Sequence, residues 1–360
     1  MARFIKTLKK TALAASIASL ATVANATIVT SIKPLGFIAS SIADGVTDTE
    51  VLVPAGASPH DYSLKPSDIQ KLQGAELILW VGEDIDAFLD KTLRPMPFKK
   101  VLSIADFAEI GGLLEGEAHD HKHEHDHTHK HDHDHKHDHD HKHDHDHKHD
   151  HDHKHDHDHK HDHDHKHDHD HKHDHEHKHD HAHGHDHDHS TNWHVWYSPE
   201  ISKIVATRLA TRLTEAYPEK KEKIAQNLAE FNRTLAEQSE KIKQQLAPVK
   251  EKGFYVFHDA YSYFNNAYGL KQTGYFTINP LVAPGAKTLA KIKQEIKEHK
   301  VNCLFAEPQF TPKVIESLSK GTGVHVGRLD PMGDAVKLGV NSYANFLQYT
   351  ADSYFACLSK

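Results

Sequence analysis

The chain has 360 residues, a formal charge of −9 and 41 histidines. That charge is concentrated in one tract, residues 119–189, which holds 22 acidic residues against 10 lysines. The rest is close to neutral, which excludes nucleic acid as an expected partner; a monomer is expected.

At the N-terminus, Arg3, Lys6, Lys9 and Lys10 precede a small apolar stretch over residues 11–23, and Ala24-Asn25-Ala26 is a small-residue cleavage pattern. This is the plan of a secretory signal peptide over residues 1–26, with an apolar part too short to span a bilayer. No cysteine stands near the cut to accept a lipid anchor, and no later stretch is long and apolar enough for a membrane helix. The mature chain is expected to begin at Thr27 and to be soluble in an exported, oxidising compartment.

Short β-rich runs then follow at residues 28–31, 49–53 and 77–81, with helical patterns at 37–43 and 66–73 between them. Past the tract the alternation returns, with strands at 254–257, 301–305 and 325–329 and a helix at 289–299. Strands alternating with helices predict an α/β fold built on parallel sheets. Between the halves one long helix is expected. Pro218 suits its first turn and Ala247-Pro248 ends it. Its apolar residues Ile224, Leu228, Phe231, Leu235, Ile242 and Leu246 form one stripe. Some 28 residues at 1.5 Å each reach roughly 42 Å, the length of a strut between two lobes. An ordinary surface helix would carry the same stripe. The expected organisation is an N-terminal lobe at 27–217, a linking helix at 218–247 and a C-terminal lobe at 248–360.

The tract interrupts the first lobe. Every odd-numbered residue in it is histidine, 36 in all, and His-Asp-His-Asp-His-Lys repeats seven times from His131 to Lys172. Ala182 is its one aliphatic residue. Such a composition buries no core, so the tract is expected to be disordered without metal. Its end histidines are expected auxiliary metal ligands: His119, His121, His123, His125, His127 and His129 on one side, His183, His185, His187 and His189 on the other. A slipped repeat with no selected task is the alternative.

Cys303 and Cys357 are the two cysteines. An oxidising compartment favours a disulfide, worth roughly 4 kcal/mol in the chain-entropy model. Two buried free thiols are the other reading.

Five histidines lie outside the tract: His60, His194, His258, His299 and His325. His60 sits in a loop after a strand, and His258 directly follows the apolar run 254–257. Ligands of open α/β sheets collect at the carboxyl ends of strands, where both fall. His194 stands in Asn192-Trp-His-Val-Trp196, just before a helix start with Ser198 as cap. Glu307 and Asp330 follow strands and reach the same rim. His299 reads as a solvated helix end and His325 as a strand residue. No His-Glu-x-x-His or paired Cys-x-x-Cys fixes a metal site locally.

Several segments together carry a family resemblance. They are Ser31-Ile-Lys-Pro-Leu35, Pro59-His-Asp-Tyr-Ser-Leu-Lys-Pro-Ser67, Asn192-Trp-His-Val-Trp-Tyr-Ser-Pro199, Phe257-His-Asp-Ala-Tyr261, Phe305-Ala-Glu-Pro-Gln309, Leu329-Asp-Pro331 and the late cysteine pair. From Thr27 to Lys360 the chain resembles the cluster A-I solute-binding receptors of metal-uptake ABC transporters, in their zinc branch. The resemblance implies two α/β lobes joined by a long rigid helix, with metal held between them by His60, His194 and His258. Asp330 matches a ligand of several relatives; a water or a neighbouring carboxylate is the alternative fourth ligand. Manganese receptors place a carboxylate where His258 stands, and imidazole favours zinc over manganese. Pro59 replaces a glutamate, and Tyr275 a second-site histidine, found in some zinc receptors.

The function this implies is capture of Zn²⁺ in the periplasm and delivery to an inner-membrane ABC permease with its ATPase, with no enzymatic activity. A periplasmic zinc buffer or a metal-dependent adhesin without transport is the alternative. A zinc hydrolase would also fit three histidines and a water, with Asp330 or Glu307 as base.

Overall fold

A computed structural model describes residues 27–116, 191–310, 313–320 and 322–360. The signal-peptide reading and the histidines of the tract fall outside the described residues. Among these residues no helix is long and apolar enough to cross a membrane.

The first half builds a parallel sheet from β1 (Thr27–Thr30), β2 (Asp48–Val51), β3 (Leu77–Trp80) and β4 (Val101–Ser103), in the order β2-β1-β3-β4. Helices α1 (Lys33–Ile42), α2 (Pro66–Gly74), α3 (Glu83–Asp86) and α4 (Asp90–Leu93) follow its strands. Interior β3 is buried at all four positions, whereas edge strand β2 is exposed at Asp48 and Glu50. A strand covered on both faces has to be apolar throughout, and an edge strand does not. α1 begins four residues before its apolar pattern suggests, because Pro34 occupies the first turn where a missing N–H costs nothing.

A two-stranded antiparallel ladder comes next, β5 (Glu115–Gly116) with β6 (Thr191–Asn192), pairing the residues on either side of the tract. Two helices then run in succession. α5 (Pro199–Ala216) is capped as its sequence suggests, with Ser198 Oγ accepting from Ile201 N at 3.2 Å. The long helix, α6 (Lys221–Leu246), is preceded by a single 3₁₀ turn over Pro218–Lys220. Its buried stripe includes Ile224, Phe231, Leu235, Ile242 and Leu246. Asn227 is buried in the same stripe, and its amide donates to Ile42 O and Asp44 O at the end of α1. That polar residue satisfies the last carbonyls of a neighbouring helix.

The second half builds another parallel sheet from β7 (Phe254–His258), β8 (Gly274–Thr277), β9 (Cys303–Ala306) and β10 (His325–Arg328), in the order β10-β9-β7-β8. Helices α7 (Ser262–Tyr268), α8 (Ala286–Lys297), α9 (Lys313–Ser319) and α10 (Ser342–Leu358) accompany it. The chain is thus α/β with two parallel-sheet lobes and a long helix between them. α10 packs against α1 and α6 as well as β10, with Phe346 5.3 Å from Phe37 ring to ring. One buried cluster consequently runs from Ile28 through α1, α5 and α6 to Leu358, and two smaller clusters cover the outer faces of the sheets.

Cys303, at the start of β9, is bonded to Cys357 on α10, with Cα atoms 6.2 Å apart and a sequence separation of 54. Both cysteines are buried. Replacing both with alanine should lower the free energy of unfolding in a urea titration by about 4 kcal/mol. A loss below about 1 kcal/mol would show that the bridge constrains little.

Candidate metal centre

Three chain segments bring one imidazole each to the carboxyl ends of the two sheets. His60 lies in a 3₁₀ turn, Pro59–Asp61, reached by the loop that leaves β2, and its backbone N–H donates to Ser58 Oγ at 3.3 Å. His194 follows β6 and precedes the 3₁₀ turn Val195–Tyr197. His258 is the last residue of β7.

The outer nitrogens of two rings are committed. His194 Nδ1 lies 2.7 Å from Asn192 Oδ1, which also accepts the His194 backbone N–H at 3.1 Å. The Asn192 amide nitrogen donates to the Asp259 carbonyl at 2.8 Å, so the Asn192 oxygen is the end that faces His194. His258 Nδ1 lies 2.8 Å from each oxygen of Glu307, whose Oε1 also accepts from Tyr261 Oη at 3.0 Å. Each ring is therefore anchored at Nδ1 and turns Nε2 toward the other. Those two Nε2 atoms are 3.2 Å apart.

His194 and His258 are 8% and 2% exposed, and His60 is half-buried. Burial, then the neighbouring His258, pushes the His60 pKa down to about 3. Burial, followed by the two other rings, holds His194 well below the ordinary imidazole range. These two rings are neutral at pH 7, the form that binds metal. One ligand nitrogen from each of His60, His194 and His258 lies within 4.8 Å of the others. A cavity of about 10 Å³ touches all three rings, together with Gln309, Phe310 and Met332. Imidazole nitrogens on a tetrahedral ion with bonds of about 2.0–2.1 Å sit about 3.3 Å apart. The observed 3.2 Å between His194 and His258 is that spacing.

The family model for ZnuA, described as zinc-uptake complex component A, periplasmic, matches residues 28–357. The chain belongs to the ZnuA family. It is 66% identical over 355 residues to the high-affinity zinc uptake system protein ZnuA of Haemophilus influenzae, covering 99% of both chains. The protein of the same description from Haemophilus ducreyi is 51% identical over 353 residues, covering 98% of this chain and 99% of that one. A crystal structure of a ZnuA superposes with a TM-score of 0.63 at 21% identity, covering 92% of this chain and 99% of that one. At that identity the superposition speaks for the fold.

Within this member of the ZnuA family the other sequence candidates stand outside the convergent group. Asp330 is buried but is not in the convergent group. Its Oδ1 accepts from Gln309 Nε2 at 2.8 Å and Met332 N at 3.0 Å, and its Oδ2 from Asp334 N at 2.7 Å. Glu307 faces His258, so it orients a ring. His299 lies two residues past the end of α8 with a positive φ of 56°, and His325 is exposed at the start of β10. Asn192 and Tyr261 went unnoticed as functional residues. Each stands within three residues of a candidate histidine, but nothing in a linear pattern says which neighbour turns toward the ring.

The tautomers can be checked without metal. Nitrogen-15 spectra of imidazole-labelled, metal-free protein at pH 7 should show His194 and His258 protonated on Nδ1, and Glu307→Gln should disturb His258 alone. Nε2–H forms in both rings of the parent would refute the assignment.

Proposed function

We propose that this chain captures Zn²⁺ in the periplasm, holds it with His60, His194 and His258, and delivers it to an inner-membrane ABC permease driven by its ATPase. The observation that carries the reading is the pair of facing Nε2 atoms, 3.2 Å apart, with each ring fixed by a hydrogen bond on its far side. With both rings neutral, a cation held by the two nitrogens would gain two coordinate bonds. Three neutral imidazoles suit zinc, and a water completes the four-coordinate set. This reading gives Asp330 no metal bond, since it lies outside the convergent group and its oxygens accept hydrogen bonds that wind the turn after β10.

The same contacts weigh against hydrolysis. Glu307 is held by His258 and Tyr261, so neither rim carboxylate is free to act as a base beside a metal-bound water. The chemistry left is reversible binding, which is what an uptake receptor needs.

The His tract has a supporting part in this reading. The residues that follow it, Thr191, Asn192 and Trp193, line a cleft of about 380 Å³ together with His60 and His194. A tether rooted there would keep weakly held zinc at high effective concentration beside the cleft. Zinc titration of a chain lacking residues 119–189 should retain one tight site. Adding His60→Ala and His258→Ala should weaken that site by more than the roughly 10–100-fold typical of an outer-shell loss. A tight site surviving in the double variant would sink the ligand assignment, and unimpaired growth of tract-deleted cells under a chelator would remove the collecting role.

Acid gives an independent check. A lowered pKa means that His60 and His194 stay neutral well below the ordinary value of 6.5, so zinc displaces no proton from either. Between pH 6.5 and 5 the logarithm of zinc affinity, measured by chelator competition on the tract-deleted chain, should fall by no more than one unit per pH unit. A slope near three would mean that all three rings are protonated before zinc binds.

A further inference from the structure

The turn that follows β10 is wound by its own carboxylate. Asp330 Oδ1 accepts from Met332 N and Oδ2 from Asp334 N, while Gly333 N donates to Asp330 O at 3.1 Å. The turn is also wedged in place. Gly333 has a φ of +63°, and a Cβ there would lie 2.6 Å from Phe346 on α10 and 2.9 Å from Phe37 on α1. Only glycine fits a backbone of that hand with aromatic rings so close.

From this one turn, bonds leave to each of the three segments that carry a site histidine. The Trp196 indole donates to Pro331 O at 3.1 Å, and its ring centroid is 5.1 Å from that of His194. Gln309 donates to Asp330 Oδ1 from two residues beyond Glu307, the partner of His258. Gly56, four residues before His60, donates its N–H to Asp334 Oδ2 at 2.6 Å. Lys33, at the start of α1, donates to the Asp334 carbonyl at 2.7 Å.

The three connections do unequal work. His194 and His258 are buried and have their own partners in Asn192 and Glu307. The His60 ring is half-buried and has no hydrogen-bond partner among the described residues, so the loop must place it. Ser58 and Pro59 are buried beside His60, whereas the loop is exposed at Gly56, where φ is +77° and an added Cβ would meet nothing within 4 Å. The Asp334 carboxylate restrains the loop at that exposed position.

We propose that Asp334 is a positioning residue: by accepting the Gly56 N–H it ties the His60 loop of one lobe to the 330–334 turn of the other, and so sets how long zinc is retained. The proposal rests on the zinc-receptor reading above. It assigns no metal bond to Asp334. Losing the bond lets His60 swing away from the two fixed rings, which speeds release.

The test compares Asp334→Ala with Asp334→Asn, whose amide oxygen can still accept from Gly56. Zinc release into excess chelator, followed by stopped flow on tract-deleted protein, should be about tenfold faster for alanine, as for loss of a hydrogen bond to a charged group. Asparagine should lie within about twofold of the parent. Hydrogen exchange over residues 53–60 of the metal-free protein should quicken in the alanine variant alone, with its melting temperature unchanged. Should alanine fail to fold, Asp334→Ser, too short to reach Gly56, carries the same expectation. Parent-like release by the alanine variant overturns the proposal, as does faster release with unchanged loop exchange and a lowered melting temperature. If the parent itself holds no zinc tightly, the receptor reading falls, while the exchange measurement still decides whether Asp334 restrains the loop.

Discussion

Two imidazole nitrogens that face each other across 3.2 Å set the requirements for the rest of this molecule. The arrangement persists because each ring is held from behind, one by Glu307 and one by Asn192. Those holders are themselves held. Glu307 also accepts from Tyr261, and the Asn192 carbonyl accepts from Tyr263, whose hydroxyl in turn accepts from Glu115 N across the small ladder. Preorganisation of this kind places its cost in folding, so that ligand binding needs little rearrangement.

The fold explains why the cost can be borne. His258 ends a strand buried at all five positions that lies between β8 and β9, and it is itself in register with Thr277 of β8. The lobes do not form separate cores, since α1, α6 and α10 share one buried cluster that contains residues of both. Opening the site by a wide hinge would expose that cluster. The remaining freedom lies in the loops, and of the three rings only that of His60 stands on one without a hydrogen-bond partner among the described residues. In the proposed site two fixed rings would retain zinc and a third would adjust.

Much of this was legible in the residues. The alternation of apolar runs with helical patterns gave both sheets, and carboxyl-end placement singled out His60 and His258, which the structure does bring together with His194. The edge strands β4 and β8 were not recognised, because a strand covered on one side lacks the continuous apolar run of β3 or β7. α10 also escaped, since a helix buried on several faces shows little periodicity. Glu307 and Asp330 were visible as carboxylates on the rim, but their roles depend on which way each side chain turns. Glu307 turns to an imidazole and Asp330 to backbone amides, a difference that only tertiary contacts decide.

The cleft histidines owe their character to burial and to convergence together. Burial disfavours a positive charge on a single ring, so His60 and His194 hold protons poorly. Taking a doubly charged ion out of water carries the same kind of cost, and it is offset only where several neutral nitrogens bind the ion at once. One ring cannot do that. Three that converge within 4.8 Å can, so what the separate segments contribute is the meeting of their rings and not the depth of any one of them.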